Sequence, residues 1–268
     1  MTTPETSVQL YAVRQALDDD LDGTFARLAG IGFGNVEAFD FVRRVDALKA
    51  AAARHGLAVP TAHAILLRET AQTPDGLLQV TPPGQTMAAA AELGVQVLID
   101  PYVPLDQWTT ADDIARTAET INTRAQEAAS LGLRVGYHNH EHELRTQVGG
   151  RPALEVFADQ LEPDVLLEVD LYWAAAGGAD PAQLLQRLGE RVVAVHVKDG
   201  PMRPGITSRQ MPQDQSPAGT GDVPLAEALA AGSSLRYAVV EFDHYEGDIF
   251  AGISQSYDFL QQTLETAR

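Results

Sequence analysis

The amino-acid sequence predicts an α/β protein built as one (β/α)8 barrel, on three observations. Short apolar or β-branched runs alternate with longer stretches of helical spacing along the whole chain, the rhythm of a parallel sheet with crossover helices. The runs number eight, which closes a barrel with none left over. The 268 residues, 45% of them hydrophobic, supply one large core, and no break in composition marks a linker.

The predicted strands, in order, are Val8–Val13, Gly34–Ala38, Ala58–Ala62, Val95–Asp100, Arg134–His138, Val165–Asp170, Val192–Val197 and Tyr237–Phe242. Each is followed by a polar segment able to begin a helix. Between them, Phe41, Val45, Leu48 and Ala52 form one apolar stripe and Ile114, Ala118, Ile121, Ala125 and Ala128 another, each spaced to lie on a sheet. Thr110 with Asp113 has the offset of a capping box, and Asp180 before Pro181 reads as an N-cap with proline in the first turn. Gly56, Gly94 and Gly132 precede the next strand each time and close the helices. Residues 1–268 thus read as a single domain, with 1–7 a frayed terminus and the Gly/Pro-rich segment 200–221 a long loop or a lid over the mouth.

Composition excludes several classes of function. The net charge of −18 repels a phosphate backbone, so no nucleic-acid partner is expected. The absence of cysteine removes disulfides, thiolate catalysis and cysteine-held zinc. No apolar run approaches the roughly 18 residues of a membrane span, and the start lacks the character of a signal peptide; a soluble, cytoplasmic protein is the expectation.

In such a barrel the loops after the strands meet at one mouth, so polar groups at strand ends converge. Those ends carry Glu37, His63, Asp100, His138–Asn139–His140, Glu168, Asp170, His196, Lys198, Glu241 and Asp243. Residues two apart share a face of a strand, so Glu168 points with Asp170, His196 with Lys198, and Glu241 with Asp243. A hard divalent ion on carboxylates and one or two imidazoles keeps so many acids close without protonating them; Mn²⁺ is favoured, and Mg²⁺, Co²⁺ or Zn²⁺ also fit. His138, His140 and Glu143 fall within six residues of one another and mark the densest stretch. Tyr172 and Trp173 suit a wall against a sugar ring, with packing between loops as the alternative for Trp173. Glu37 and His63 are candidate substrate contacts, and Lys198 a partner for an oxyanion. Arg203 and Arg209 are candidates to grip an anionic group on closure of the long segment.

Taken together, Val8–Tyr11, Gly32–Glu37, Tyr137–His140 with Glu143, Glu168–Trp173 with Gly178–Pro181, His196–Asp199, Gly219–Asp222 and Glu241 resemble the sugar phosphate isomerases/epimerases of the xylose-isomerase-like TIM-barrel superfamily, over essentially Val8 to Leu260. The resemblance implies a metal held by two glutamates, an aspartate and a histidine. Three carry over as Asp170, His196 and Glu241; Glu143 is favoured as the fourth, with His138 or His140 as substitutes. It implies a metal-dependent isomerase or epimerase acting on a keto sugar or related polyol through an enediolate. In that chemistry Glu143 and Glu241 exchange the proton, His138 or His140 relays it, and Lys198, Tyr11, Tyr172 and Trp173 frame the reacting ring. The alternatives are a metal-dependent lyase or dehydratase on a keto-inositol or 3-keto-glycoside, and a sugar-binding barrel without catalysis. The expected partner is a small sugar or polyol, with no membrane; monomer, homodimer or a small partner subunit are all compatible. The charge disfavours the DNA-cleaving branch of the superfamily.

Overall fold

A computed structural model describes residues 3–73 and 76–266. Eight parallel strands form the barrel: β1 (Glu5–Gln9), β2 (Asn35–Ala38), β3 (Ala58–His63), β4 (Val97–Asp100), β5 (Arg134–His138), β6 (Leu166–Asp170), β7 (Val192–Val197) and β8 (Tyr237–Val240). Each pairs with its neighbours in sequence, and β8 returns to β1 through Glu5↔Tyr237 to Val8↔Val240, so no edge is left open. One outer helix packs after each strand: α1 (Leu21–Ile31), α2 (Val45–His55), α3 (Pro83–Leu93), α4 (Ala111–Ala129), α5 (Ala153–Ala158), α6 (Pro181–Leu188), α7 (Leu225–Ala231) and α8 (Ile249–Thr266).

The local signals act as read. Thr110 and Asp113 form a reciprocal capping box on α4, whose Ile114, Ala118, Ile121 and Ala128 are buried. Asp180 accepts from Gln183 N with Pro181 in the first turn of α6. Gly56, Gly94 and Gly132 adopt φ of 70°, 89° and 74°, where a Cβ would be strained.

Three expectations are corrected. Glu5–Ser7, placed in a frayed terminus, are paired in β1, while Leu10–Val13, read as the rest of that strand, wind into a 3-10 turn capped by the Gln9 side chain. Two antiparallel hairpins, Thr70–Thr73 with Gly76–Gln79 and Gln147–Val148 with Arg151–Pro152, decorate the loops after β3 and β5 and gave no alternation long enough to read. Phe41 lies in a turn ahead of α2, so the stripe of that helix begins at Val45.

Most of the core lies between sheet and helices. Inside the barrel a separate cluster of Val97, Ile99, Leu166 and Val193 makes an apolar floor. Gly136 faces it, since a Cβ there would lie 3.2 Å from Ile99. Above that floor the inward positions change from apolar to ionisable within two residues, from Leu166 to Glu168 and from Ala194 to His196. Among the described residues no helix is long and apolar enough to cross a membrane.

Candidate metal centre

The mouth above the floor holds two groups of donor atoms that each lie within 4.8 Å of one another: Asp170, His196 and Glu241, and His63, His138, Glu168 and His196. His196 joins them. Its Nδ1 lies 2.7 Å from Glu241 Oε2 and 4.0 Å from Asp170 Oδ2. Its Nε2 lies 2.7 Å from Glu37 Oε1 and 3.1 Å from Glu168 Oε2. His138 sits beside it, ring centroids 4.5 Å apart, with Nδ1 3.1 Å from Glu168 Oε2 and Nε2 3.9 Å from Asp170 Oδ2. His63 Nε2 reaches Glu168 Oε2 at 2.6 Å and Glu37 Oε1 at 3.2 Å.

Lys198 supplies the one ammonium in this centre. At 1% exposure its Nζ lies 2.9 Å from Asp170 Oδ2, 2.8 Å from Glu241 Oε2 and 2.8 Å from Asp243 Oδ2. The alternation read from the sequence thus delivers Asp170, Lys198, Glu241 and Asp243 to one point.

Burial and neighbours divide these groups electrostatically. Burial raises Asp170 to about 6 even though Lys198 and His196 pull it back. It raises Glu37, with Glu168 adding to the effect. Glu168 is held well below the carboxylate range by His196 and His63, against the cost of its own burial, and Glu241 likewise by Lys198 and His196. Burial, with His196 next to it, lowers His138 to about 3, while Glu168, Glu241 and Glu37 overcome burial and hold His196 well above its usual value. Three carboxylates also overcome burial at Lys198 and hold its ammonium charged.

These residues fit a divalent cation. Five buried acids, Glu37, Glu168, Asp170, Glu241 and Asp243, face one lysine and three histidines. Asp170 Oδ2 meets the Lys198 ammonium at 2.9 Å and otherwise only the His138 and His196 ring nitrogens at 3.9 and 4.0 Å, while its partner oxygen takes Trp173 N at 2.8 Å. One ammonium shared among Asp170, Glu241 and Asp243, with ring nitrogens facing Asp170 beyond hydrogen-bond reach, leaves donor capacity at this point that a cation would take up. Two imidazoles and two carboxylates suit Zn²⁺, Co²⁺ or Mn²⁺.

Glu143, the expected fourth ligand, is not brought to this point. The chain turns into a short helix, Glu141–Arg145, directly after β5, and Glu143 folds back: Oε1 accepts from Tyr137 OH at 2.6 Å and Oε2 from His140 N at 3.0 Å. Both oxygens are spent on local structure. The position that faces Asp170 from β5 is His138, one of the kept substitutes. His140 lies nearer the opening, where burial and His138 keep its ring neutral and its Nδ1 has no partner.

A cavity of about 570 Å³ opens above the centre. His63, His138, His140, Lys198, Glu241 and Asp243 form its polar end, and Tyr11, Phe39, Phe41, Ile65, Tyr102 and Met211 its apolar wall. Tyr11 takes the expected place, its ring edge-on to Phe39 at 5.4 Å. Glu37 is fully buried and meets Gln9, His63 and His196 instead of a substrate hydroxyl.

Tyr172 and Trp173 do not line the cavity. Asp170 caps a helix, Leu171–Ala176, that starts without a loop and carries both rings into packing at 0% exposure, 5.1 Å apart. Burial there pushes the Tyr172 hydroxyl up to about 12. Arg203 points outward and pairs with Asp214, whereas Arg209 does line the cavity.

The long segment carrying them is stapled at its base: Asp199 accepts from Gly200 N, Gly219 N, Gly221 N and Val223 N, and Gln215 bonds Asp243 and His244 N. Its middle docks on the helix after β5 through Ser208 N to Glu141 and Arg145 to Ile206 O. Asp100, at the end of β4, ties the neighbouring loop by accepting from Leu66 N, Leu67 N and Tyr102 N.

Sequence reasoning did not assign Gln9, Tyr102, Phe39 or Asp199 and left Glu168 without a role. The signal for Glu168 was present in its alternation with Leu166 and Asp170; Gln9 ends β1, whose inward positions are polar, and Phe39, Tyr102 and Asp199 lie just beyond strand ends, where periodicity stops.

Fold and centre together define a class, a (β/α)8 barrel with a divalent-metal site at the carboxyl ends of its strands. The sequence profile of the xylose isomerase-like TIM barrel family matches residues 25–262, and the chain belongs to that family. It is similar in structure to a sugar phosphate isomerase/epimerase from Parabacteroides distasonis, at 20% identity and a TM-score of 0.79 over 97% of this chain and 98% of that one. It is also similar to the IolI protein crystallised with a zinc atom, at 13% identity and a TM-score of 0.73 over 98% and 99% of the two chains. A third structure, the probable 3-DHS dehydratase AsbF from Bacillus anthracis, gives 12% identity and a TM-score of 0.68 over 96% and 98%. At these identities the likeness is one of fold. No curated protein compared with the chain matches it.

Proposed function

We propose that the protein is a divalent-metal-dependent isomerase or epimerase of a keto sugar or related polyol, with the ion held by His138 Nε2, Asp170 Oδ2, His196 Nδ1 and Glu241 Oε2. The observation that carries this reading is the convergence of Asp170, His196 and Glu241 on one point, with His138 Nε2 3.9 Å from Asp170 Oδ2, at the floor of a cavity open to small molecules. A bound ion would polarise a carbonyl chelated with its neighbouring hydroxyl and so acidify the adjacent C–H.

The remaining chemistry falls to the chain. His140, whose neutral ring lines the cavity, accepts the proton from one side of the bound sugar, and the Glu241 carboxylate faces it from another. Return of the proton to the same carbon from the opposite face gives an epimer; return to the neighbouring carbon gives an isomer. Lys198 directs its charge at the oxygen on which negative charge develops. Tyr11, Phe39 and Tyr102 cover the substrate and exclude water.

The test is incubation of Mn²⁺-loaded protein with a panel of ketoses, aldoses and inososes in deuterated water, followed by NMR. Incorporation of deuterium next to the carbonyl with no loss of mass from the sugar supports the reading. Release of water or an aglycone identifies a lyase. Tight binding without exchange anywhere on the panel identifies a binding protein.

A further inference from the structure

We infer that Glu37 and Glu168, joined by His63, form a buried brace that fixes the rotation and tautomer of both metal-facing histidines, so that metal affinity is set partly from strands that supply no ligand. The inference rests on the metal reading above.

Each histidine has a carboxylate behind it and Asp170 in front. For His138, Glu168 Oε2 lies 3.1 Å from Nδ1, and Asp170 Oδ2 lies 3.9 Å from Nε2. For His196 the ring is turned the other way: Glu37 Oε1 lies 2.7 Å from Nε2, and Nδ1 faces Asp170 and Glu241. An ionised carboxylate only accepts, so the rear nitrogen of each ring carries a hydrogen; the front nitrogen of His138 is the one offered to a cation, and that of His196, which meets Glu241 in the metal-free protein, would yield its hydrogen to one. The two rings need opposite tautomers, and the two glutamates stand where they impose them.

His63 links the pair. Its Nε2 sits 2.6 Å from Glu168 Oε2 and 3.2 Å from Glu37 Oε1, and its ring stacks on His196 at 5.2 Å and meets His138 edge-on at 5.0 Å. Gln9 Nε2 donates to Glu37 Oε1 at 2.7 Å from the far side.

Two further observations set these residues apart from ordinary packing. Glu37 and Glu168 are 0% and 1% exposed and do not line the cavity, so neither solvent nor substrate accounts for burying two acids. Among the described residues the breaks in barrel register lie opposite these two glutamates, with the extra residue on the strands that carry His63 and His196: from Asn35 to Glu37 β2 advances two positions while β3 advances three, and from Leu167 to Glu168 β6 advances one while β7 advances two. Register breaks of this kind re-aim side chains.

A second cation held by His63, His138, Glu168 and His196 is the competing use of the same atoms. It is less favoured because it would take the rear nitrogens and force His196 to bridge two ions.

The experiment is Mn²⁺ titration by calorimetry on the wild-type protein and on Glu37→Gln, Glu168→Gln and the corresponding alanine variants, with circular dichroism to confirm folding. The wild type is expected to bind one ion per chain. The glutamine variants keep that stoichiometry with affinity lowered about 10- to 100-fold, and the alanine variants fall further, because an amide oxygen still accepts from the ring. The visible spectrum of the Co²⁺-loaded forms changes shape in the same order. His63→Gln, which leaves both glutamates in place, gives a smaller loss and keeps the inference testable if an alanine variant does not fold. Unchanged affinity and spectrum in folded glutamine variants overturn the brace. Two ions per wild-type chain, one of them lost in Glu168→Gln, overturn it in favour of a second site. No ion bound by the wild type overturns the metal reading itself.

Discussion

The barrel mouth is made of two unlike halves. Strands β5 to β8 end in His138, Asp170, His196 and Glu241, whose donor atoms converge around Asp170; β1 to β4 end in Gln9, Glu37, His63 and Asp100, which reach the back of the histidines or the neighbouring loop backbone. The loops of the first half also supply most of the apolar wall, with Tyr11, Phe39, Phe41, Ile65 and Tyr102. All eight positions are strand ends with the same geometric access to the mouth. What separates them is the side of His196 they reach, and residue type alone does not report it: Glu241 meets its Nδ1 beside Asp170, whereas Glu37, the same amino acid at an equivalent place, meets its Nε2 behind the ring.

The largest test of this division is Asp170→Asn. Oδ1 accepts from Trp173 N, a bond an amide oxygen preserves, so folding is retained while the anionic donor that faces Lys198 and the two histidines is lost. Mn²⁺ affinity is expected to fall by more than the about 100-fold that outer contacts command, measured by calorimetry; full stoichiometry would dissolve the distinction between the halves.

Next is Lys198→Met, which leaves Asp170, Glu241 and Asp243 buried without their counter-charge. Stability without metal is expected to drop by about 3–5 kcal/mol in urea unfolding, with part of the loss recovered by saturating Mn²⁺. Equal stability of the two metal-free proteins would show that the carboxylates do not depend on that charge.

A smaller effect comes from pH. Burial raises Asp170 to about 6, and a metal takes only the ionised carboxylate. His196, held protonated by its carboxylates, gives up a proton to the metal throughout this range, and below about 6 Asp170 adds a second, so apparent Mn²⁺ affinity should fall as pH falls and the fall should steepen below about 6. A fall that does not steepen there would remove Asp170 from the ligands.

The smallest effect on metal is expected from Glu143→Ala. It strands Tyr137 OH and His140 N, at a cost of about 1–3 kcal/mol in stability, while Mn²⁺ affinity changes by less than about twofold. Loss of bound metal would return Glu143 to the ligand set.

The fold was legible where one face of a strand is apolar. β7 runs from Val192 to Val197 as read, since Val192, Val193, Val195 and Val197 leave little else for the segment to do. β1 was displaced because its inward residues, Ser7 and Gln9, are polar, so hydrophobicity pointed three residues too late.

In the site, alternation within a strand placed Asp170, His196, Lys198 and Glu241 together. Residues beyond a strand end were less legible, because the path of the chain there is set by caps. Asp170 starts a helix at once and sends Tyr172 and Trp173 behind the wall. His140 and Glu143 stand three residues apart, the spacing of a helix start, and that spacing is what withdraws Glu143 from the cavity.

The ammonium of Lys198 bears on the order of events in a cell. It already gathers Asp170, Glu241 and Asp243 around one positive charge, so the polypeptide can reach its final shape before any ion arrives. Starvation for metal would then leave an intact reserve of protein ready for reloading, in contrast to domains that collapse into unfolded chain when their ion is stripped.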